Sequence, residues 1–466
     1  MQTYNSLKEG FHIYLGISNF NKLIDLNPSK NKFMTKLIFD AFDLLLNEMG
    51  NECVKYSKTY IEKIAGSRIH CIIENNSSQQ DLSLIFYDIV RRFFKCVDLI
   101  NNKINKFNKI DDFIINVGCD YGYYSDYEIS FIHPSEDNSI GSPCNKAAKI
   151  QSYCDANEII VSRSAFSKLN VGSRKLPFSV VGKERIILKG TDSEDVYYSL
   201  SKPKWDSIDS ANKVADNGEM NEFSRLVESL NRNYLNENYI NLPNKFTSHI
   251  DSTMVFCDIR GFTKMFKSDG SNLVEMISIT SAALQRMNYV GKSKGLNHIQ
   301  FQGDREVFYN DNSVSKSIIA SLLIIDEFKK HAYRLNEKFS NSYKDVAVGL
   351  GLSTGNFYMN EIGIRESRSP FIVGSTYIYA DKAEDKYASR PYSISLHKTT
   401  YDKAINDGNK AFARTIAKLF SRIPNTDYYI LNENVSYETY MHEYNKAMMD
   451  ENHLGQSSDG GKPWSF

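Results

Sequence analysis

The clearest alternation of apolar and polar positions lies in the second half of the chain. Residues 253–263 (TMVFCDIRGFT) predict a short buried strand that ends at Asp258 and turns toward a helix. Residues 296–308 (LNHIQFQGDREVF) predict two strands joined by a tight turn at Gly303-Asp304. Both acidic residues therefore stand where a strand ends or turns, beside apolar segments typical of a sheet core.

The segments that follow complete one arrangement of sheet and helices. Residues 314–333 have the amphipathic pattern of a long helix, and residues 346–353 predict a strand that ends at a Thr354-Gly355 turn. Residues 371–385 begin as an apolar strand, meet a glycine and continue as a helix. The order strand, helix, hairpin, helix, strand is the split βαβ plan of ferredoxin-like domains, so the predicted fold class is α+β.

The first half of the chain repeats this order more faintly. Three of its motifs align with motifs of the second half at offsets of 242, 237 and 233 residues. The aligned positions are Gly16 with Asp258, Ser67 with Asp304, and Gly141 with Gly374. Such similar offsets indicate two copies of one fold. The predicted domains are a first copy in residues 1–202, a linker with a helix in 203–249, a second copy in 250–435 and a C-terminal tail in 436–466.

Asp258 and Asp304 are the strongest candidates for chemistry. In a ferredoxin-like sheet the end of one strand and the hairpin turn of its neighbours face the same point, so the two carboxylates can meet there. Paired carboxylates favour a hard divalent cation such as Mg²⁺ or Mn²⁺. The turn at 260–263 offers backbone N–H groups to a polyphosphate. Either aspartate alone could be an ordinary turn residue, whereas the pair with its flanking pattern favours a site.

The composition narrows the possible functions. The 466 residues include 56 basic and 56 acidic side chains, and zero net charge argues against nucleic acid or an anionic membrane as the main partner. No apolar run is long enough to span a membrane and no signal-peptide pattern opens the chain, which predicts a cytoplasmic protein. The 7 cysteines include no CxxC pair and indicate reduced thiols.

The motifs FCDIRGFT, QGD and the stretch from GLSTG to FIVGSTYIYA resemble the catalytic-domain motifs of class III nucleotidyl cyclases. The resemblance covers nearly all of residues 250–435, and residues 8–202 resemble the same domain more weakly. It implies two cyclase domains in tandem that form an intramolecular pseudo-heterodimer with an active site made within one chain, and it leaves further dimerisation open. It also implies two divalent ions, Mn²⁺ or Mg²⁺, held at Asp258, Ile259 and Asp304. The implied triphosphate contacts in this copy are Ile259, Arg260, Gly261, Phe262 and Thr263.

The same resemblance gives the first copy a complementary set of residues. Lys63 and Asn138 match the base-contacting positions of adenylate cyclases, where the family has a lysine and an aspartate. Asn145 matches the asparagine that orients the ribose and the transition state. Lys149 stands where the family has a transition-state arginine, and Lys189 resembles a phosphate-contacting lysine near the last strands.

The losses in the two copies are reciprocal. The first copy has Gly16 and Ser67 in place of the metal-binding aspartates. At the positions for the base, the ribose and the transition state, the second copy has Gln300, Phe371, Ile378 and Lys382. Three of those four are unsuited to the task, so the resemblance implies one complete set of active-site residues and one inactive set. Gly349 stands where the family has a phosphate-binding arginine, and the residues that could substitute are Arg260, Arg305 and Arg365.

The implied reaction is cyclisation of a nucleoside triphosphate to a 3′,5′-cyclic monophosphate with release of pyrophosphate. Lysine donates hydrogen bonds and an asparagine amide donates and accepts, so Lys63 and Asn138 suit cytosine or adenine. We favour CTP because Asn138 replaces the aspartate of adenylate cyclases, with ATP as the runner-up and UTP as a further alternative. The chain also resembles the pyrimidine cyclases of bacterial Pycsar anti-phage defence, which implies a cyclic CMP messenger for a separate effector protein.

Two other classes of function stay open. One is a catalytically silent nucleotide sensor, against which the intact Asp258 and Asp304 argue. The other is a relative of polymerase palms or diguanylate cyclases, which share the split βαβ core with paired carboxylates. The sequence has no GGDEF-like hairpin, and this disfavours the diguanylate cyclase.

Overall fold

A computed structural model gives the fold of most of the chain. It describes residues 7–25, 32–75, 81–129, 132, 136–173, 175–181, 186, 195–211, 219–235, 247–266, 270–338, 347–364, 367–406 and 409–456. Contacts divide the chain into two compact units. Unit 1 comprises Met1–Thr247, Thr263–Ser278 and Tyr358–Gly374, and unit 2 comprises Ser248–Phe262, Ile279–Phe357 and Ser375–Phe466.

The first copy and the segment after it contain eight strands and eight helices among the described residues. In chain order they are β1 (Lys8–Ile17), α1 (Phe20–Asp25), α2 (Lys32–Cys53), β2 (Thr59–Ala65), β3 (Arg68–Glu74), α3 (Leu82–Ile100), α4 (Lys106–Asn108), β4 (Ile115–Ile129), β5 (Glu136–Ile140), α5 (Ser142–Ser152), β6 (Glu158–Ser162), α6 (Arg163–Leu169), β7 (Ser179–Val180), β8 (Tyr197–Ser201), α7 (Lys202–Ala211) and α8 (Glu219–Leu235). A π-helical turn, Asn101–Asn105, joins α3 to α4.

The second copy and the C-terminal segment contain a matching series of elements in the described part of the chain. They are β9 (Thr247–Arg260), α9 (Phe262–Met265), α10 (Leu273–Ser293), β10 (Asn297–Gln302), β11 (Arg305–Asn310), α11 (Val314–Lys338), β12 (Ala347–Ile364), β13 (Ser367–Val373), α12 (Ser375–Lys382), β14 (Ser393–His397), α13 (Lys398–Ile405), α14 (Lys410–Leu419), β15 (Phe420–Arg422), β16 (Tyr428–Leu431) and α15 (Tyr437–Gln456). A π-helical turn, Ala383–Tyr387, follows α12.

Each copy builds one sheet, and the two sheets have the same strand order. The first runs β2-β3-β1-β4-β6-β8-β7 with β5 paired to β4, and the second runs β10-β11-β9-β12-β14-β16-β15 with β13 paired to β12. The registers also agree, because Gly16 pairs with Arg68 across β1 and β3 just as Asp258 pairs with Arg305 across β9 and β11. The predicted α+β class and the two tandem copies of one ferredoxin-like plan are therefore confirmed.

The core of unit 1 lies where α2, α3 and α8 cover the apolar face of the sheet. Helix α3 begins after Asp81, whose carboxylate accepts the N–H groups of Ser83 and Leu84 at 3.0 and 3.2 Å. Trp205 of α7 is buried and stacks on Tyr87 with ring centroids 5.1 Å apart. The two helices after the first copy therefore have apolar faces that unit 1 buries, which explains why they belong to it.

Three elements differ in extent from the sequence prediction. Strand β12 continues through Thr354 and Gly355 to Ile364, because its far end pairs with β13 instead of turning. The helix expected after Asp258 is two helices, α9 and α10. Helix α15 lies in the segment expected to be a tail, where Tyr440 is buried and stacks with Tyr444. None of the helices within the described ranges is long and apolar enough to cross a membrane.

Candidate functional site

The paired aspartates of unit 2 lie at one end of its sheet. Asp258 is near the end of β9, and Asp304 lies in the turn between β10 and β11. The backbone N–H of Ile259 donates to the carbonyl oxygen of Asp304 at 3.4 Å, which ties the strand end to the turn. Asp258 also faces Arg305 across the two strands. The hairpin turn and the strand end that the sequence singled out are therefore adjacent.

Two arginines lie against these acidic residues. Arg260 donates from Nη1 to Asp258 at 3.3 Å, and the Nε of Arg305 lies 3.8 Å from the other oxygen of Asp258. Arg305 donates from Nη1 to Asp381 at 2.6 Å and from Nη2 to Glu384 at 2.5 Å. Three carboxyl groups thus share two guanidinium groups, so at least one carboxyl group lacks a cation of its own.

Glu384 is the carboxyl group most affected by this arrangement. Its side chain is fully buried, and burial together with the negative charge of Asp258 raises its pKa to about 8 despite Arg305 and Arg260. Burial alone would lower the pKa of the Arg305 guanidinium, but Glu384, Asp381 and Asp258 raise it well above its usual range. Arg305 therefore stays charged, and Glu384 is the group that can hold a proton near neutral pH.

The carboxylate oxygens of unit 2 suit a hard divalent cation, although Arg260 and Arg305 contact Asp258 in this structure. Among the described residues no group of three or more His, Cys, Asp or Glu side chains is arranged to hold a metal ion. Among the described residues of this cluster, four carboxyl groups (Asp258, Asp304, Asp381 and Glu384) outnumber the two guanidinium groups of Arg260 and Arg305. Carboxylate oxygens are the donors that Mg²⁺ and Mn²⁺ prefer. We conclude that the residues fit such an ion when Asp258 releases its arginine partners.

Arg260 fills the space beside Gly349. A Cβ atom at Gly349 would lie 2.5 Å from Nη2 of Arg260 and 2.7 Å from the carbonyl oxygen of Ala388, so only glycine leaves room for the guanidinium group. Arg260 donates to that carbonyl oxygen from Nε at 3.1 Å, and it also contacts Glu384. Of the three arginines suggested as substitutes for the missing one, Arg260 is thus the one beside Gly349, and Arg365 lies outside the described residues.

The remaining predicted phosphate contacts follow Arg260 in the chain. Gly261 has a positive φ of 77°, which lets the chain turn sharply out of β9. Phe262 is buried and begins the four-residue helix α9, which includes Thr263. The side chain of Thr263 and the whole of Lys189 lie outside the described residues.

The corresponding end of the first copy has no acidic pair. Gly16 leaves no room for a side chain, because a Cβ atom there would lie 2.7 Å from Oδ1 of Asn116. Gln151 occupies the position of Glu384 and donates to Asn116 at 2.6 Å. Ser67 occupies the position of Asp304 and donates its hydroxyl to the carbonyl oxygen of Ile17 at 2.9 Å. Neutral side chains have replaced the carboxylates on the same backbone.

The structure brings together the two residues predicted to contact the base. Lys63 on β2 donates from Nζ to Oδ1 of Asn138 on β5 at 2.5 Å. The amide nitrogen of Asn138 donates to the hydroxyl of Tyr127 at 2.9 Å, and Asn138 is 1% exposed. These bonds orient the amide oxygen toward Lys63, which is the more accessible member of the pair.

Helix α5 carries the other two predicted residues of the first copy. Asn145 and Lys149 are one helical turn apart and half-buried, so they lie on one face of the helix. Helix α12 has Ile378 and Lys382 at the same places. The counterpart of Asn138 is Phe371, which belongs to unit 1 and stacks on Phe42 with ring centroids 4.7 Å apart. The second copy thus offers no polar group at two of these positions.

Sequence reasoning missed a buried polar cluster beside Lys63. His12 and His70 are fully buried, and their ring nitrogens lie 3.0 Å apart. His70 pairs in turn with the buried carboxylate of Glu62. His12 and His70 are far apart in the chain and meet only through the pairing of β1 with β3, so no local motif marks them. The one available signal was a histidine at each of two inward-facing strand positions.

The chain matches no family model and no curated protein, whereas it does match solved structures. A class III adenylyl cyclase-like ATP-binding protein from Pseudomonas aeruginosa is 15% identical, with a TM-score of 0.70 over 94% of this chain and 90% of that chain. The chain therefore has the class III cyclase-like fold along almost its whole length.

Individual cyclase domains match about two fifths of the chain. The adenylyl cyclase CyaB from P. aeruginosa is 18% identical over 42% of this chain and 98% of that chain, with a TM-score of 0.32. A guanylyl cyclase domain from the fungus Blastocladiella emersonii is 15% identical over 40% and 96%, with a TM-score of 0.31.

Proposed function

We propose that the protein is a nucleotidyl cyclase that converts a nucleoside triphosphate to a 3′,5′-cyclic monophosphate and pyrophosphate. The observation that carries the proposal is the complementary distribution of polar residues on two equivalent backbones. The second copy keeps Asp258 and Asp304 where the first has Gly16 and Ser67. The first copy keeps the Lys63–Asn138 pair, while the second has apolar or uncharged residues there. Two decayed domains would have no reason to lose opposite halves of one residue set.

Each residue set has a distinct role in this proposal. Asp258 and Asp304, with Ile259, would hold two divalent ions, which would supply a more acidic 3′-hydroxyl and neutralise phosphate charge. Asn145 would orient the ribose, and the ammonium of Lys149 would stabilise the charge that develops on the α-phosphate. Arg260, Gly261, Phe262, Thr263 and Lys189 are the proposed contacts to the triphosphate.

We propose CTP as the preferred substrate, with ATP as the runner-up and UTP as a further alternative. The hydrogen bond of 2.5 Å between Lys63 and Asn138 supports a shared role in reading the base. A lysine donor suits the ring nitrogen of cytosine or adenine, and the carbonyl of an asparagine can accept from the exocyclic amine. The proposal includes cyclic CMP as a messenger for a separate effector in antiviral defence, an extension based on the resemblance to pyrimidine cyclases.

The test is an incubation of the purified full-length protein with each of the four triphosphates and Mn²⁺. Mass spectrometry identifies the cyclic product and pyrophosphate, and omission of Mn²⁺ with added chelator is the control. We expect a 3′,5′-cyclic nucleotide from CTP above all others. Absence of any cyclic product, with nucleotide binding retained, would contradict the cyclase proposal.

A second candidate is a protein that binds nucleotides without turning them over. Two observations favour it: Asp258 is held by Arg260 and Arg305, and the matched structure of similar length is described as an ATP-binding protein. Two measurements distinguish the candidates. If the protein only binds nucleotides, a nucleotide should raise its melting temperature and the incubation should yield no cyclic product.

A further inference from the structure

The strand that carries Lys63 contains a bulge at the preceding residue. The pairing of β2 with β3 shifts register between Ile61 and Lys63, so Glu62 is the extra residue. The pairing of β10 with β11 shifts at the equivalent point, where Ile299 is the extra residue. Bulges re-aim side chains and are enriched beside functional sites. The two copies share the bulge and differ in what it presents, a carboxylate in one and an aliphatic group in the other.

Glu62 contacts Lys63 itself and Ser139, the residue next to Asn138. One carboxylate oxygen accepts the backbone N–H and the hydroxyl of Ser139, each at 2.6 Å. The same oxygen lies 3.3 Å from Nζ of Lys63. The side chain of Glu62 is 4% exposed, so these contacts are made almost without water. A single carboxylate thus holds the ammonium of Lys63 and the strand residue next to Asn138.

The other oxygen of Glu62 is anchored in the interior of unit 1. It pairs with His70, and His70 contacts His12 and stacks on Tyr14 with ring centroids 4.3 Å apart. Burial opposes ionisation of Glu62, but Lys63 and His70 hold its pKa well below the usual range, so the carboxylate is charged. The anchor belongs to the first copy only, because His12 and His70 are replaced by Met254 and Val307 in the second.

Backbone pairing alone connects β2 and β5 only indirectly. β2 pairs with β3, and β5 pairs with β4. Among the described residues, the contacts of Glu62 with Ser139 and of Lys63 with Asn138 join β2 to β5 directly. Loss of the contacts of Glu62 would give the side chain of Lys63 more conformational freedom.

We propose that Glu62 is the positioning residue that holds Lys63 and Asn138 in the geometry that discriminates between bases. The effect of Glu62 on the choice of nucleotide rests on the proposed function. The structural part of the inference, the immobilisation of Lys63 by Glu62, does not depend on catalysis. Glu62 touches no substrate in this proposal and acts only through its two neighbours.

The test compares Glu62→Gln with Glu74→Gln in the full-length protein. Glutamine keeps the shape and one acceptor but removes the charge. Glu74 is the matched control, since it is a buried carboxylate on the same sheet that pairs with Lys8 and Lys58 instead. Acetylation rates of individual lysines, measured by mass spectrometry without nucleotide, report how firmly Lys63 is held. Because hydrogen bonds to charged groups contribute about 1.5–3 kcal/mol, we expect Lys63 to react at least roughly 10-fold faster in Glu62→Gln and at the wild-type rate in Glu74→Gln.

A second measurement addresses selectivity. Calorimetric titration with CTP, ATP, UTP and GTP gives the affinity for each nucleotide. We expect the affinity for the preferred triphosphate, relative to the others, to fall at least roughly 10-fold in Glu62→Gln and to stay unchanged in Glu74→Gln. Ser139→Ala, which removes one neutral hydrogen bond, should raise Lys63 reactivity about 2- to 10-fold, and it keeps the test valid if Glu62→Gln fails to fold.

The outcomes separate the inference from the proposed function. Faster acetylation of Lys63 in a protein that forms no cyclic nucleotide supports the role of Glu62 and contradicts the cyclase proposal. Unchanged reactivity of Lys63 in both Glu62→Gln and Ser139→Ala overturns the inference. An equal loss of affinity for all four nucleotides, together with a lower melting temperature, would show an ordinary structural role and would also overturn it.

Discussion

The strand ends of the two copies present opposite chemistry on the same backbone. In the second copy, the carboxyl groups of Asp258, Asp381 and Glu384 contact two guanidinium groups, and a fourth, that of Asp304, belongs to the adjacent turn. In the first copy, the equivalent positions of those four carboxyl groups hold Gly16, Ser67, Ala148 and Gln151. The registers of the paired strands are identical, so the difference lies in side chains and not in the fold. A backbone inherited twice can therefore divide its functional groups between its copies.

The hairpin regions of the two copies show the reverse distribution. The first copy buries a charged and hydrogen-bonded set around Glu62, Lys63 and Asn138. The second copy has Ile299, Gln300 and Phe371 at those places. A buried charge is costly unless it is paired, and the carboxylate of Glu62 is paired with both Lys63 and His70. This contrast makes paired substitutions in the two copies the most informative experiments.

The largest effect is expected at the acidic pair. Asp258→Ala or Asp304→Ala should lower kcat for cyclisation by about 1000-fold or more, because each removes a charged oxygen ligand. Ser67→Ala, the matched change in the first copy, removes one neutral hydrogen bond and should leave kcat within about 2-fold. Product formation is measured by mass spectrometry, with melting temperature as the control for folding. Similar losses in Ser67→Ala and Asp304→Ala would contradict the assignment of metals to the second copy.

Helices α5 and α12 offer the next comparison. Asn145→Ala or Lys149→Ala should lower kcat by about 100- to 1000-fold, the range typical of lost electrostatic stabilisation of a transition state. Ile378→Ala is the matched change in the second copy and should leave kcat unchanged. Steady-state kinetics with the preferred triphosphate separate kcat from KM. An effect of Asn145→Ala on KM alone would mean that this residue binds the substrate and does not act in the transition state.

A smaller effect is expected at the base-reading pair. Lys63→Ala should lower kcat/KM for the preferred triphosphate by about 10- to 150-fold, from the loss of about 1.5–3 kcal/mol. The loss of kcat/KM should be smaller for triphosphates with other bases. Gln300→Ala in the second copy should leave kcat/KM unchanged for all of them. Asn138→Asp should retain use of CTP and ATP and depress use of UTP, whose O4 needs a donor. If the wild type uses UTP best, the argument from donors and acceptors is wrong.

The smallest effect concerns stability and pH at Glu384, whose counterpart in the first copy is Gln151. The pKa of Glu384 is raised from 4.5 to about 8, so the folded protein binds this proton more tightly than the unfolded chain does. Its contribution to the free energy of unfolding is therefore full below about pH 4.5 and is lost as pH rises to about 8.

Glu384→Gln removes this titration and makes the second copy resemble the first. Between pH 5.5 and 7.5 the wild type should lose about 2 kcal/mol of unfolding free energy relative to the variant. Urea denaturation at both pH values, with chelator present, measures the difference. Parallel pH profiles for the two proteins would show that Glu384 stays ionised beside Arg260 and Arg305.

The fold could be predicted from the sequence because the repeat carries strong signals. The strand end at Gly16 and Asp258, the hairpin turn at Ser67 and Asp304, and the glycine at 141 and 374 occur at similar offsets, and strand pairing then follows from the plan of one domain. The extents of single elements were harder to predict. Thr354-Gly355 has the composition of a turn, yet β12 continues through it because pairing with β13 outweighs local preference.

Sequence reasoning identified Lys63 and Asn138, which do lie together. It could not show what surrounds them. Glu62 looks like a surface residue beside Lys63, and only the bulge turns it inward toward His70 and Ser139. Arg305 likewise follows the Gly-Asp turn as an ordinary strand residue, and its contacts with Asp381 and Glu384 depend on the placement of helix α12. Such contacts arise from three-dimensional packing and leave no local pattern.

The segment Tyr358–Gly374 has a consequence for how the protein is made. This segment belongs to unit 1, where Phe371 stacks on Phe42 and contacts Phe20 and Phe39. The ribosome must therefore add about 125 residues after Thr247 before Phe371, the last aromatic ring of this core, is synthesised. At a translation rate of roughly 5–20 residues per second, the apolar surface that Phe371 covers stays exposed for several seconds. Nascent chains in this interval are the ones that should need a chaperone.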